Sequence, residues 1–286
     1  MTAPPSPLLE VENLRVRFPT PTGVVEAVRG VSFAAGAEKV GIVGESGSGK
    51  STVGRAILRL VPRPGVVTAD RLAFRGLDLL TAGERAMRAV RGARIAMILQ
   101  DPRHALNPVM RVGRQIEEAV RVHERIGRSA ARRRALEMLE QVRIRDPERV
   151  HAAYPHELSG GMGQRAMIAI MLAAGPELLI ADEPTSALDV TVQAQVLAIL
   201  DDLVSGRGMG LVFISHDLEL VASFCDRVLV MYAGRVLESL PARALHEARH
   251  PYTRGLLACL PKLERRGERL ATLTHDPAWL GEDVRP

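Results

Sequence analysis

Eight residues, Gly44-Glu45-Ser46-Gly47-Ser48-Gly49-Lys50-Ser51, carry the spacing G-x-x-x-x-G-K-[ST], and that spacing serves the holding of phosphate. Gly44, Gly47 and Gly49 let the backbone turn so that its N–H groups point inward. With the first turn of a following helix, which takes in Thr52, those donors cradle an anion. Lys50 brings a cation to the β- and γ-phosphates, and the Ser51 hydroxyl is a ligand for Mg²⁺. Arginine outnumbers lysine 35 to 3, so Lys50 is one of very few lysines available for chemistry. A second chemical group closes the apolar run Leu178-Leu179-Ile180-Ala181, where Asp182 and Glu183 stand side by side. At the C-terminal edge of a buried strand, where nucleotides bind in open α/β sheets, Asp182 would hold Mg²⁺ through water. Glu183 would orient and deprotonate an attacking water. Phe18, an aromatic ending a β-rich run, is the candidate for stacking on adenine, with plain packing as the alternative.

The flanking sequence supplies the elements these groups need. Residues 8–18 alternate as a strand, 24–33 form a second β-rich run, and Pro19-Thr-Pro-Thr-Gly23 between them is a turn cluster. Val40–Val43 predicts a short buried strand entering the glycine-rich loop, and residues 50–60 predict a helix stopped by Pro62 and Pro64. Residues 66–74 and 94–99 predict further strands. From Arg111 to Arg149 the composition turns to Ala, Glu and Arg at helical spacing, with 11 Arg against 7 acidic residues, which reads as a solvated helical face. Ser129 predicts one cap there, and Asp146-Pro147 predicts a cap followed by proline at the first helical position. Strands return at 178–181, 211–214 and 228–231. The fold class expected is α/β: a phosphate-loop core with a mostly parallel sheet, an antiparallel β portion at its N-terminal side and an inserted α-helical subdomain. The core would take residues 8–100 and 166–245, the helical subdomain about 101–165, a further C-terminal segment about 246–262, and a tail 263–286.

Composition narrows the function classes. At 286 residues with 47% hydrophobic and 25% charged side chains, the chain buries a sizeable core in about two lobes. The longest apolar stretch free of charge, Ala166–Pro176, falls short of the roughly 20 residues of a membrane span, and the start lacks the basic and apolar regions of a signal peptide. A cytosolic protein that meets a membrane only through a partner is expected. Cys225 and Cys259 lie far apart without metal-ligand spacing and read as reduced thiols. The net charge of +5 is spread along the chain and aromatics are only 3%, so nucleic acid is not expected as a partner.

Between the phosphate loop and the acidic pair lies Leu158-Ser-Gly-Gly-Met-Gly-Gln-Arg165. With that stretch in that place the chain, from about residue 8 to about residue 262, resembles the nucleotide-binding subunits of ATP-binding cassette (ABC) transporters. The resemblance implies ATP and Mg²⁺ as ligands, and an ATPase that drives transport. It makes Ser159, Gly160, Gly161 and Gln164 a signature that contacts the nucleotide of a second ATPase subunit, so that two ATPs lie between two subunits set head to tail. Asp189, ending Ser186-Ala-Leu-Asp189, falls in the loop that crosses that interface. Gln100 would contact Mg²⁺ or the attacking water, and His216, in Phe213-Ile-Ser-His-Asp217, would sense the γ-phosphate.

Two further runs narrow the branch. Gln100-Asp-Pro-Arg-His-Ala-Leu-Asn-Pro108 and His250-Pro-Tyr-Thr-Arg-Gly-Leu-Leu257 are similar to segments of importers for dipeptides, oligopeptides and nickel. Such ATPases work as a homo- or heterodimer at the cytoplasmic face of the inner membrane, beneath two permeases fed by an extracytoplasmic binding protein. The cargo would be peptides, nickel or a metal chelate. The chain departs from that branch in two places: Gly163 stands where an arginine is usual, and the tail after Pro261 has none of the cysteines that hold an iron–sulfur cluster. The alternatives are a soluble ABC ATPase acting on ribosomes or DNA, and a phosphate-loop kinase or other single-site NTPase, which would leave Leu158–Arg165 and His216 without a role.

Overall fold

The computed structural model describes residues 7–186 and 188–260 together with Leu273, Asp276 and Trp279, and Arg103 and His104 by their backbone. The first part of the chain forms β1 (Leu9–Thr20), β2 (Gly23–Ala35), β3 (Lys39–Val43), α1 (Lys50–Ile57), β4 (Val66–Thr68), β5 (Arg71–Phe74), β6 (Leu77–Asp78), α2 (Glu84–Val90) and β7 (Ile95–Ile98). A helical stretch follows: α3 (Pro102–Ala105), α4 (Val112–His123), α5 (Arg128–Gln141), α6 (Pro147–Ala152) and α7 (Gly160–Leu172). The chain then returns to alternation with β8 (Leu178–Asp182), α8 (Val190–Arg207), β9 (Gly210–Ile214), α9 (Leu218–Phe224), β10 (Arg227–Tyr232), β11 (Arg235–Pro241) and α10 (Pro251–Ala258). The described residues fall into two compact units. One holds Pro7–Leu9, Ala35–Glu38 and Phe74–Val212; the other holds Glu10–Ala34, Lys39–Ala73 and the described residues from Phe213 onward. Most of the expected tail, 263–286, lies outside the described residues.

In the unit that carries the phosphate loop, β3 runs parallel to β10, with Val40 opposite Arg227 and Val43 opposite Val230. On its other side β10 pairs antiparallel with β11. Val40, Ile42 and Val43, with Val228 to Met231, are buried without alternation, as strands covered on both faces must be. Among the N-terminal strands β4 pairs antiparallel with β1, setting Val16 opposite Val67. Along β1 the buried residues are Leu9 and Val11, then Leu14 and Val16, so the alternation slips by one position between them. Asn13, at φ 49, takes up that slip, and its backbone N–H donates to the Ser32 hydroxyl at 2.9 Å. This is the local irregularity a bulge produces.

In the other unit β7 and β8 are parallel, Ile95 opposite Leu178 and Ile98 opposite Ala181. Helices α4, α5, α6 and α7 pack on one another. In α5 the buried residues Ala131, Ala135, Met138 and Leu139 are spaced along one face. The arginines between them reach water, where Arg132 and Arg133 pair with Glu148 and Glu137. Glu177, just before β8, receives Arg94 at 2.7 Å and Arg75 at 2.9 Å. Arg94 also lies 4.8 Å from the Phe74 ring centroid. Burial raises the Glu177 carboxyl, but the bonds from the two guanidiniums outweigh it and hold it below the usual range.

Several local expectations change. The strand expected to end at Phe18 runs on to Thr20, so Pro19 and Thr20 belong to β1 rather than to the turn. The helix expected to reach Leu60 ends at Ile57, because Arg59 at φ 53 leaves helical geometry. The single strand expected over 66–74 is two, β4 and β5, parted at Ala69 and Asp70. Ser129 is not a cap: α5 begins at Arg128 after Gly127, whose extended backbone (φ −72, ψ 164) supplies the cap geometry. Asp146 caps α6 as expected, accepting the Arg149 N–H at 3.1 Å ahead of Pro147. Strand β11 was not foreseen.

Candidate active site

The phosphate loop is bent by contacts that leave no room for side chains. A Cβ on Gly44 (φ 150) would lie 2.0 Å from the Met231 carbonyl oxygen, and one on Gly49 (φ 99) would lie 2.3 Å from that of Ala27. At Gly47 (φ 81) the same position meets nothing within 4 Å, so the backbone there is open. The Ser48 N–H turns back onto the Glu45 carbonyl at 3.2 Å, while the Ser48 carbonyl accepts the Gly234 N–H at 2.9 Å. Lys50 is only 5% exposed; its ammonium donates to the Gly44 and Glu45 carbonyls at 2.8 Å each. Helix α1 starts at Lys50 with no side-chain cap, which sets the N–H groups of Lys50, Ser51 and Thr52 at the positive end of a helix. Open backbone, a buried cation and an uncapped helix start fit a polyphosphate. Ser46 reaches solvent, whereas Glu45, Ser51 and Thr52 are half-buried.

Two other candidates belong to this unit. Phe18 is half-buried in β1, and its ring fills the space beside Gly65, where a Cβ would approach Cε1 to 2.7 Å. His216 is exposed in the turn after β9. That turn is pinned on both sides, by Ser215 N–H on the Ile42 carbonyl at 3.1 Å and by Asp217, which caps α9 through the Leu220 N–H at 2.9 Å.

The other unit assembles the carboxylates. Asp182 ends β8 and is 3% exposed. Glu183, the next residue, has φ 46, a left-handed backbone that a non-glycine residue holds only under local strain. Because β7 and β8 set Ile98 opposite Ala181, the residues two positions on leave the sheet at one level. Gln100 Nε2 accordingly donates to Glu183 Oε2 at 2.9 Å. Ser159 caps α7, its hydroxyl accepting the Met162 N–H at 3.4 Å, and Gly160 and Gly161 form the first turn. Those residues line an open cavity of about 510 Å³ together with Arg143, Arg145, Arg149 and Asp189. Asp189 caps α8 through the Val192 N–H at 3.0 Å.

Gln164 stands apart from the other signature residues. It is 1% exposed and its amide donates to the Pro184 carbonyl at 2.5 Å. The structure places it behind the site, tying the signature helix to the turn that carries Glu183. Gly163 faces Pro102, with a Cβ position 3.9 Å from that ring.

One group escaped the sequence reading. The Tyr252 hydroxyl accepts the Glu45 N–H at 3.2 Å and lies 3.4 Å from the Glu45 carboxylate. The His-Pro-Tyr-Thr run marked that segment as unusual, but nothing in it named the phosphate loop as its target.

Comparison with known proteins agrees with this chemistry. Residues 29–186 match the family described as ABC transporter. The chain is 50% identical over 268 residues to the oligopeptide transport ATP-binding protein OppD of Bacillus subtilis (strain 168), spanning 93% of this chain and 75% of that one. It is 49% identical over 268 residues to the dipeptide transport ATP-binding protein DppD of Escherichia coli (strain K12), spanning 93% and 82%. Among solved structures, the dimeric post-hydrolysis state of the ATP-binding cassette MJ0796 bound to ADP and Pi superposes with a TM-score of 0.71 at 27% identity, over 82% of this chain and 99% of that one. On both sequence and fold, the chain belongs to the ABC transporter family and is an ATP-binding, ATP-hydrolysing subunit of it.

Proposed function

We propose that this subunit hydrolyses MgATP in a head-to-tail dimer of ATPase subunits and so drives the uptake of peptides through a pair of membrane permeases. The observation that carries the hydrolytic part is Glu183, held at φ 46 with its carboxylate oriented by Gln100 at 2.9 Å. A base fixed in direction before substrate arrives is what proton transfer needs. Lys50 and the loop N–H groups bind the β- and γ-phosphates. Ser51, Asp182 and Gln100 would hold Mg²⁺, a donor set of the oxygen-rich kind that ion takes beside substrate phosphates; when bound, the ion neutralises phosphate charge. Glu183 takes a proton from water as its oxygen bonds to the γ-phosphorus and the bond to ADP breaks, giving ADP and inorganic phosphate. His216 contacts the γ-phosphate, Phe18 stacks on adenine, and Ser159, Gly160 and Gly161 complete the site of the second subunit, with Asp189 at the interface between them.

Peptide cargo is supported by the printed functions of the relatives, oligopeptide and dipeptide transport. The dimer is supported by the dimeric cassette it superposes on. Among the described residues no helix is long and apolar enough to cross a membrane, and the place proposed is peripheral, at the cytoplasmic face beneath the permeases, with an extracytoplasmic binding protein as the indirect partner. The test is a pull-down of tagged Glu183→Gln protein with MgATP from detergent-solubilised host membranes. Two polytopic permeases and an ATPase partner are expected. Ribosomal proteins or DNA-repair factors in their place would replace transport with the soluble alternative.

A further inference from the structure

The link between the C-terminal segment and the phosphate loop carries more than packing. Tyr252 is fully buried, and its ring is fixed on two sides: the Tyr232 centroid lies at 4.7 Å and that of Trp279 at 5.5 Å. Its backbone is fixed as well. His250 caps α10 by accepting the Tyr252 N–H on Nδ1 at 3.1 Å, and Pro251 occupies the first helical position. A phenol so constrained has its hydroxyl at one place, and that place is Glu45. The hydroxyl accepts the Glu45 N–H at 3.2 Å and points toward the Glu45 carboxylate at 3.4 Å.

Glu45 is the hub of the loop. Its carbonyl accepts both the Lys50 ammonium at 2.8 Å and the Ser48 N–H at 3.2 Å. The peptide unit that joins Gly44 to Glu45, Gly44 C=O to Glu45 N–H, carries the other carbonyl that holds the Lys50 ammonium, that of Gly44 at 2.8 Å, and leads directly into the Glu45 carbonyl. The N–H end of that unit is held by Tyr252. The geometry points to Tyr252 as a positioning residue for nucleotide binding, fixing this peptide and, through its Gly44 carbonyl and the adjoining Glu45 carbonyl, the Lys50 ammonium. This rests on the reading that the loop binds MgATP. It gives the His250-Pro-Tyr-Thr segment a mechanical role in this ATPase, 207 residues away from the loop it steadies.

The test is Tyr252→Phe, which keeps the ring and removes only the hydroxyl. Nucleotide binding is measured with a fluorescent ATP analogue, competed by ATP, ADP and AMP, beside the steady-state KM and kcat. Loss of one hydrogen bond to a partly buried group predicts affinity for ATP and ADP about 5- to 10-fold weaker. AMP, which lacks the phosphates Lys50 meets, changes by less than about twofold. KM rises with little change in kcat, because the loop still closes on a saturating ligand. Equal ATP affinity in parent and variant overturns the inference while leaving the loop's function intact. A parent protein that binds no ATP removes that function and the inference together. Amide exchange at Glu45 in the parent protein supplies a measurement independent of whether the variant folds. A protected amide, exchanging at least about tenfold slower than that of the exposed residue Ser46, is expected; a freely exchanging one overturns the inference.

Discussion

Glu183 and Gln100 are the residues on which turnover should depend most sharply. Glu183→Gln keeps the shape and the contact with Gln100 but cannot take a proton, so kcat is expected to fall by about 10²- to 10⁴-fold while nucleotide affinity holds. A stopped assay with radiolabelled ATP, together with the elution volume of the MgATP-bound protein on gel filtration, checks both halves. Undiminished turnover would remove Glu183 from its role. Gln100→Ala leaves the base present but loosely aimed, and a smaller loss, on the order of 10-fold in kcat, is expected. Lys50→Ala acts earlier. It deletes the cation held between the Gly44 and Glu45 carbonyls, so an equilibrium titration with radiolabelled ATP should show failure to bind rather than slow chemistry.

At the scale of elements, caps decide where the chemistry sits. Ser159, Asp189 and Asp217 each accept an N–H at the start of a helix, and each of those starts presents a candidate site residue. Asp146 does the same work for α6 and, with Arg149, lines the cavity beside Ser159. Asp146→Ala should lose about 1 kcal/mol of stability, read as a lower urea midpoint. Of these caps Asp146 was legible in the sequence, because a short polar side chain before a helix carries its own local explanation. Ser129 shows the limit of that reasoning. It is the right residue type, yet the helix starts at Arg128, one residue ahead of it, behind an extended Gly127. The slip in β1 at Asn13 was visible in the sequence only as an imperfect alternation. The early end of α1 at Arg59 carried no local signal at all. The phosphate loop and the acidic pair were readable because their function sits in consecutive residues. The bonds from Tyr252 to Glu45 and from Gln164 to Pro184 were not, since each joins segments that only the folded chain brings together.

Over the molecule as a whole, two titratable groups report on packing. Glu177 lies between Arg75 and Arg94 with its carboxyl held below the ordinary range. A depressed folded value means stability that is fully present above the unfolded carboxyl's range and disappears as pH falls through the folded value. Glu177→Gln should therefore melt about 2–4 °C lower at pH 7, with the gap narrowing as pH falls below the ordinary carboxyl range; a gap that does not change with pH would mean the loss is steric. Cys225 is buried, and that burial pushes its thiol up to about 12, whereas Cys259 is partly exposed. Native protein treated with iodoacetamide at pH 8 should be labelled at Cys259 and spared at Cys225, as peptide mass mapping would reveal.

The left-handed backbone at Glu183 sets the needs of folding against those of turnover. A side chain there costs on the order of 1–3 kcal/mol, which glycine would largely recover at φ 46 against about 0.5–1 kcal/mol of added chain entropy. Most substitutions weaken a protein; Glu183→Gly is expected to raise the melting temperature while abolishing ATP hydrolysis. A library of this chain selected for heat resistance alone should then enrich glycine at position 183, and its survivors would be sturdier proteins that hold nucleotide and never cleave it. Sequencing the survivors checks this, and glycine no commoner there than at neighbouring positions would mean the turn carries no strain worth relieving.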